Sequence, residues 1–169
     1  MTSITPSQGI LSPDRQADRE RVIALLEKAY WMEIETVMSY ISNSINPDGI
    51  RAMEIKESLQ QDIQEELGHA QQFGQRIKEL YGVVPGSMAF AAEQTFLQPP
   101  EHQIDLVHVI KGVIQAENGA IEHYNKLIEA CEGIDPVTQD MVITILHDEE
   151  GHRRMFEGFL REYEAQGLV

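Results

Sequence analysis

Two short stretches of this chain carry the same pair of reactive residues at the same spacing. Glu66 is followed three positions later by His69, and Glu149 by His152. Residues three apart on a helix share one face, roughly one turn apart. A carboxylate oxygen and an imidazole nitrogen placed in this way can meet a single cation. Two further glutamates, Glu33 and Glu117, stand alone in comparable surroundings. Each of the four sits inside a run that is otherwise largely apolar at steps of three and four. The first run is Val22, Leu26, Ala29, Glu33, Val37, Tyr40, and the second is Ile55, Leu59, Asp62, Glu66, His69, Phe73, Ile77. The third is Leu106, Ile110, Val113, Glu117, Ala120, Tyr124, Leu127, and the fourth is Val142, Ile145, Glu149, His152, Phe156, Phe159.

A lone carboxylate in a helix core is costly unless it is protonated or paired, and four together would also repel one another. Two divalent cations would balance four carboxylates. The Glu-x-x-His spacing is common by chance. Two copies in apolar stripes, with one Glu in each remaining stripe, specify a two-metal carboxylate centre of iron or manganese. The competing reading is a set of salt bridges on a solvated face, and the apolar neighbours along each stripe argue against it. Glu117 follows Glu33 by 84 positions, and Tyr124 follows Tyr40 by 84. Glu149 and His152 follow Glu66 and His69 by 83. The two halves therefore read as versions of one hairpin, facing each other so that two glutamates bridge the ions. Glu33 is preferred to Glu35, which lies roughly 200° further round the helix. Glu117 is preferred to Glu122, which lies off the stripe. Glu149 is preferred to Glu150, which lacks the i+3 relation to His152. Glu65 and Asp148 each precede a candidate ligand. They are either surface acids or acceptors for the second N–H of a ligating histidine in the opposite hairpin. Tyr40 and Tyr124 lie two turns beyond Glu33 and Glu117. They read as packing residues with a satisfied hydroxyl, with a hydrogen-bonding or redox part for Tyr40 as the sharper alternative.

Local signals divide the chain into the elements that would hold these groups. Ser12-Pro13-Asp14 is a helix start, and the first helix should run from about Pro13, or a few residues later, to about Ile45. Asn46-Pro47-Asp48-Gly49 is a turn. The second helix runs to about Tyr81, with Gly82 as its stop. Residues from Val83 to Pro100 read as irregular, with Met88–Phe96 as a candidate for a short extra helix. The third helix should run from about Glu101 to Glu132. The fourth begins at Asp135-Pro136 and continues to about Gln166. Residues 1–12 are expected to form a tail and residues 13–169 one domain. Two short links make antiparallel neighbours, and the long middle link crosses the bundle. The expected class is all-α, an antiparallel four-helix bundle with one long crossover, which is the ferritin-like topology.

Composition narrows the partners. The chain has 169 residues, 28 acidic against 13 basic, and a formal net charge of −15. Phosphate backbones need a basic patch, so no nucleic-acid partner is expected. An acidic surface instead favours solubility and gathers cations. Cys131 is the single cysteine, which excludes an intramolecular disulfide. The first residues have neither the basic nor the apolar region of a secretory leader. No run approaches the ~18 apolar residues of a membrane span. A soluble protein of the cytoplasm, without a membrane partner, is the expectation.

The stretches MEIETVMSY, EELGHAQQF, AENGAIEHY and MVITILHDEEGH resemble the four helix motifs of bacterioferritins and their ferritin-like relatives, over about residues 18–166. The resemblance implies an intrasubunit di-iron ferroxidase centre at Glu33, Glu66, His69, Glu117, Glu149 and His152, with Tyr40 as the nearby tyrosine. It implies two iron ions per subunit, Fe2+ as substrate, O2 or H2O2 as oxidant, and Fe3+ mineral stored in a homo-oligomeric cage. Leu67 stands where bacterioferritins carry the haem-binding Met, so haem is not expected. Only 17 residues follow His152, which leaves little room for a fifth helix, and the middle link is longer than in bacterioferritins. Both features are similar to the Dps-like mini-ferritins that keep a bacterioferritin-type site, whose cages have twelve subunits rather than twenty-four. The subgroup with a cysteine pair near the site is not matched. DNA-protecting Dps proteins, with iron sites between subunits, are not matched by this intrasubunit set. Three alternatives stand beside this: a di-manganese catalase, a rubrerythrin-like peroxide-reducing bundle, and a cage with little turnover. The rubrerythrin pattern would place an additional Glu where this chain has Ala120.

Overall fold

Four long helices carry the chain: α1 (Gln16–Ile45), α2 (Ala52–Glu79), α3 (Leu106–Cys131) and α4 (Pro136–Ala165). They are seen in a computed structural model that describes residues 9–169. No strand occurs among the described residues. The short link between α1 and α2 folds them into one helical hairpin, and α3 with α4 forms the second. The hairpins meet mainly through α1 against α3, while α2 and α4 touch sparingly. Residues 80–105 cross from one hairpin to the other. This is the antiparallel four-helix bundle that the spacing of the apolar stripes predicts.

The helix starts have local causes. The Asp135 carboxylate accepts the Thr138 backbone N–H at 3.1 Å, with Pro136 at the first helical position. Asp105 accepts the N–H of His108 at 3.0 Å. The third helix therefore starts at Leu106, later than the Glu101 expected, because Asp105 supplies the cap. At the other end of the chain, residues 1–8 of the expected tail lie outside the described residues. Gly9–Leu11 forms one turn of 3-10 helix and buries Ile10, so the packed part of the chain begins before residue 13.

The crossover is irregular, as expected, but its candidate extra helix is absent. Met88–Phe96 forms no helix of its own. Single 3-10 turns at Ser87–Ala89 and Thr95–Leu97 flank an irregular stretch. The reason lies on α1. The Glu35 carboxylate accepts the backbone N–H groups of Glu93 at 2.8 Å and Gln94 at 2.7 Å. Those donors are thus taken from any local helix. Asn43 donates to the Leu97 carbonyl at 2.9 Å, and the Phe90 ring lies 5.5 Å from that of Trp31. On the other flank, a Cβ on Gly112 of α3 would stand 2.7 Å from the Phe96 carbonyl oxygen. The crossover is a strap pinned along α1 and pressed on α3.

The core is split into two apolar clusters. One contains Val22, Leu26, Phe73, Ile77, Tyr124, Leu127, Val142 and Ile145. The other contains Tyr40, Ile55, Leu59, Ile110, Val113 and Phe156. Burying a side chain of this size contributes about 1.5–3 kcal/mol. Val37 and Phe159, expected in the core, are only partly buried, and Thr36 and Asn43 take the inward positions on α1. A buried polar tie also joins the hairpins near one end. Arg76 of α2 donates to Asp135 at 2.9 Å and to Thr138 at 2.8 Å. No helix among the described residues is long and apolar enough to cross a membrane.

Gly112 offers a test of the strap. Alanine is the better helix former by about 1 kcal/mol, yet the missing 2.7 Å clearance to a backbone carbonyl should dominate. Gly112→Ala is expected to lower the unfolding free energy by about 1–3 kcal/mol, read from urea denaturation.

Candidate metal centre

Between the two apolar clusters lies a layer of charged groups, one from each helix or two. Glu33 comes from α1, Glu66 and His69 from α2, Glu117 from α3, Glu149 and His152 from α4. All six are buried, and the four glutamates are no more than 2% exposed. Their atoms form two overlapping groups. Glu33, Glu66, His69 and Glu149 offer ligand atoms within 4.8 Å of one another, and so do Glu66, Glu117, Glu149 and His152. Glu66 and Glu149 belong to both. The six residues singled out by spacing are thus brought together at the bundle centre.

The histidines are held in crossed fashion. Nδ1 of His69 lies 3.2 Å from Glu66 and 3.1 Å from Glu149, while its Nε2–H donates to Asp148 at 3.2 Å. Nδ1 of His152 lies 3.3 Å from Glu66 and 3.6 Å from Glu149, while its Nε2–H donates to Glu65 at 3.0 Å. Glu65 and Asp148 are each partly exposed and each reach the histidine of the other hairpin. The tyrosines cross as well. Tyr40 of α1 donates to Glu117 of α3, and Tyr124 of α3 donates to Glu33 of α1. Tyr124 thus stands in the same relation to the layer as Tyr40, a symmetry already visible in the matching 84-residue offsets. Asp62, read from the sequence only as a stripe position, is buried 3.7 Å from Nε2 of His152. Glu35 is turned away from the layer but buried under the strap.

The residues fit a pair of divalent cations. Glu66 Oε1, Glu149 Oε1 and His152 Nδ1 are buried without a hydrogen-bond partner, although two of them lie 3.3 Å apart. Unpartnered and clustered within 4.8 Å, these atoms are free to meet a cation. Hard carboxylates with borderline imidazoles are the donor set of iron and manganese sites.

Protein groups alone meet the charge problem with protons. Burial, then the negative charge of Glu66 and Glu149, pushes the Glu33 carboxyl well up. Burial, then Glu149 and Glu66, does the same to Glu117. Burial also raises both tyrosines well above their usual range, assisted by Glu117 at Tyr40 and by Glu33 at Tyr124. At the histidines burial opposes the charge, but the adjoining carboxylates of Glu149 and Glu66 win. They push His69 up to about 10 and His152 up to about 12. At Glu149 burial is likewise outweighed, by the adjoining His152 and His69 rings that hold its carboxyl below the usual range. Burial raises Asp62 to about 6 against the opposing pull of His152.

A raised histidine stabilises the fold below its unfolded pKa of 6.5 and loses that contribution as pH climbs through about 10. The metal-stripped protein should therefore become easier to denature as pH rises through this window. His69→Gln should flatten that part of the profile, as measured by chemical denaturation across the pH series.

Residues 23–165 match the family model described as a ferritin-like domain. The DNA protection during starvation protein of Pyrococcus furiosus is 29% identical over 147 residues, 85% of this chain and 78% of that protein. Among solved structures, the bacterioferritin-related dodecameric thioferritin of Bacteroides fragilis superposes with a TM-score of 0.75 at 23% identity, covering 88% of this chain and 89% of that one. The bacterioferritin of Desulfovibrio desulfuricans, a structure that treats its diiron site in different catalytic states, superposes with a TM-score of 0.77 at 22% identity, covering 90% and 85%. With its four-helix bundle and a family match over most of its length, this chain belongs to the ferritin-like domain family.

Proposed function

We propose that this chain is a ferroxidase that takes two Fe2+ per subunit as substrate and passes on Fe3+ for storage. The observation that carries this reading is the pair of overlapping donor sets in a dry layer, sharing Glu66 and Glu149. Glu33 and His69 serve one ion, Glu117 and His152 the other, and the shared glutamates bridge. Each Fe2+ gives up one electron to a common oxidant. With two protons, O2 becomes H2O2, or H2O2 becomes two waters. Two metals side by side allow this two-electron reduction without release of a radical. Carboxylates suit the hard Fe3+ product.

The chain's own groups prepare this step. His69 and His152 each yield the Nδ1 proton as an ion arrives, so loading releases protons and strengthens with rising pH. Asp148 and Glu65 hold the ring orientations through Nε2. Tyr40 and Tyr124 hold the terminal carboxylates Glu117 and Glu33. Leu67 offers no thioether for haem. Manganese would meet the same donors, and metal analysis of the purified protein separates the two.

The same reading makes the protein a homo-oligomeric cage in the cytoplasm, of twelve subunits rather than twenty-four. The Bacteroides relative is described as dodecameric. Ile50, Met53 and Ile104 are 96%, 68% and 75% exposed near one end of the bundle, which is where apolar surface would be covered by neighbouring copies. The net charge of −15 suits a cage that gathers iron cations and disfavours a nucleic-acid partner.

Glu66→Ala removes a donor common to both ions. Stopped-flow oxidation of Fe2+ by this variant should fall to the uncatalysed background, and unaltered turnover would refute the site. Glu65→Gln and Asp148→Asn should each weaken metal affinity or activity by about 10–100-fold, seen in the same assay. Tyr40→Phe and Tyr124→Phe should slow oxidation by similar factors, about tenfold. A much larger loss for Tyr40→Phe alone would assign that phenol an electron-transfer role instead.

A further inference from the structure

The metal layer is bordered by a second, larger space. A cavity of about 270 Å³ lies between α1, α3 and the strap, lined in part by Lys28, Trp31, Glu35, Glu93 and Gly119. A small pocket of about 10 Å³ lies against Glu33, Glu66, Glu117 and Glu149. Met32, Gln94 and Ala116 line both. These three residues form the partition between an outer chamber and the site. Ala89, Ala91 and Glu93 at the outer rim are exposed. The opposite flank of the site is filled by the two imidazoles, each tied through Nε2 to Asp148 or Glu65.

Gln94 is the polar member of that partition. It is 7% exposed. Its backbone N–H is fixed by Glu35 at 2.7 Å. Its side-chain Nε2 donates to Thr36 at 2.9 Å. With the amide nitrogen so engaged, Oε1 is buried and has no partner. A buried carbonyl oxygen without a donor is unfavourable unless something cationic or protic meets it. The volumes add a second point. One water occupies about 30 Å³ of liquid, so the outer chamber admits a cation with several of its waters, while the inner pocket has room for one water at most. An ion moving inward must lose waters at the partition, where an oxygen ligand would replace one. Ala116 and Gly119 keep the α3 wall low beside it.

Resting on the metal-centre reading above, we propose that the outer chamber is the entry vestibule for the divalent cation, and that Gln94 Oε1 is its transit ligand into the glutamate layer. The strap is then the lintel of an ion path, held in register by Glu35.

Co2+ is a suitable probe, since its visible absorption reports coordination without oxidation chemistry. Rates of Co2+ uptake and release, with equilibrium affinity, are compared in wild type, Gln94→Leu and Gln94→Glu. Gln94→Leu keeps the volume and removes the oxygen. Uptake and release should both slow by about tenfold, with affinity and stoichiometry unchanged. Gln94→Glu retains an oxygen and should load at least as fast as wild type, which keeps the idea testable if the leucine variant folds poorly. Unchanged uptake in Gln94→Leu overturns the gate, and so does an affinity loss that parallels the rate loss, because that marks a distorted site rather than a slower path. Slow loading of Gln94→Glu counts against it equally. A wild-type protein that takes up no Co2+ at a site sensitive to Glu66→Ala overturns the metal-centre reading itself, and the vestibule with it.

Discussion

Four carboxylates packed into one buried layer set the terms for the rest of this structure. Such a layer cannot hold four full negative charges. The protein answers with two imidazolium groups, two raised carboxyls and two tyrosine donors, all drawn from across the bundle. Each compensation joins different helices. His69 of α2 meets Glu149 of α4, and His152 of α4 meets Glu66 of α2. Tyr40 and Tyr124 join α1 and α3 in both directions. The arrangement that tolerates the charge is also the one that cross-links the two hairpins.

The apolar core supports this by being divided. One cluster ends at Tyr124 and the other at Tyr40, so each phenol is the polar tip of an otherwise hydrophobic wall. The walls exclude water from the layer and raise the strength of every interaction inside it. The strap closes the remaining side between α1 and α3, and its course is dictated by a carboxylate outside the layer, Glu35.

The bundle and the convergence of six side chains were legible because helical periodicity is a local property. Glu66 and His69 share a face wherever α2 is placed, and the offsets of 83 and 84 residues gave the second hairpin the same face. The strap was not legible. Met88–Phe96 has the composition of a short helix, and only the folded chain brings the Glu35 carboxylate, 58 residues from Glu93, onto its backbone donors. Val37 was misplaced for a related reason. The inner face of α1 turns toward the strap at that level, so Thr36 and Asn43 find hydrogen-bonding partners inside while Val37 lies to the side. The stripe placed Asp62 on the inner face, but its approach to His152 depends on how α4 crosses α2, which no single stripe encodes.

The sparse contact between α2 and α4 has a mechanical meaning. Along that seam the backbones stand well apart, and His69 with Glu149 and His152 with Glu66 reach across it. Dispersion contacts are indifferent to acidity and to ion supply, whereas this junction is not. Under the proposed ferroxidase reading, ions seated there would act as rivets, and the stiffness of the bundle along one side would be a function of its cargo.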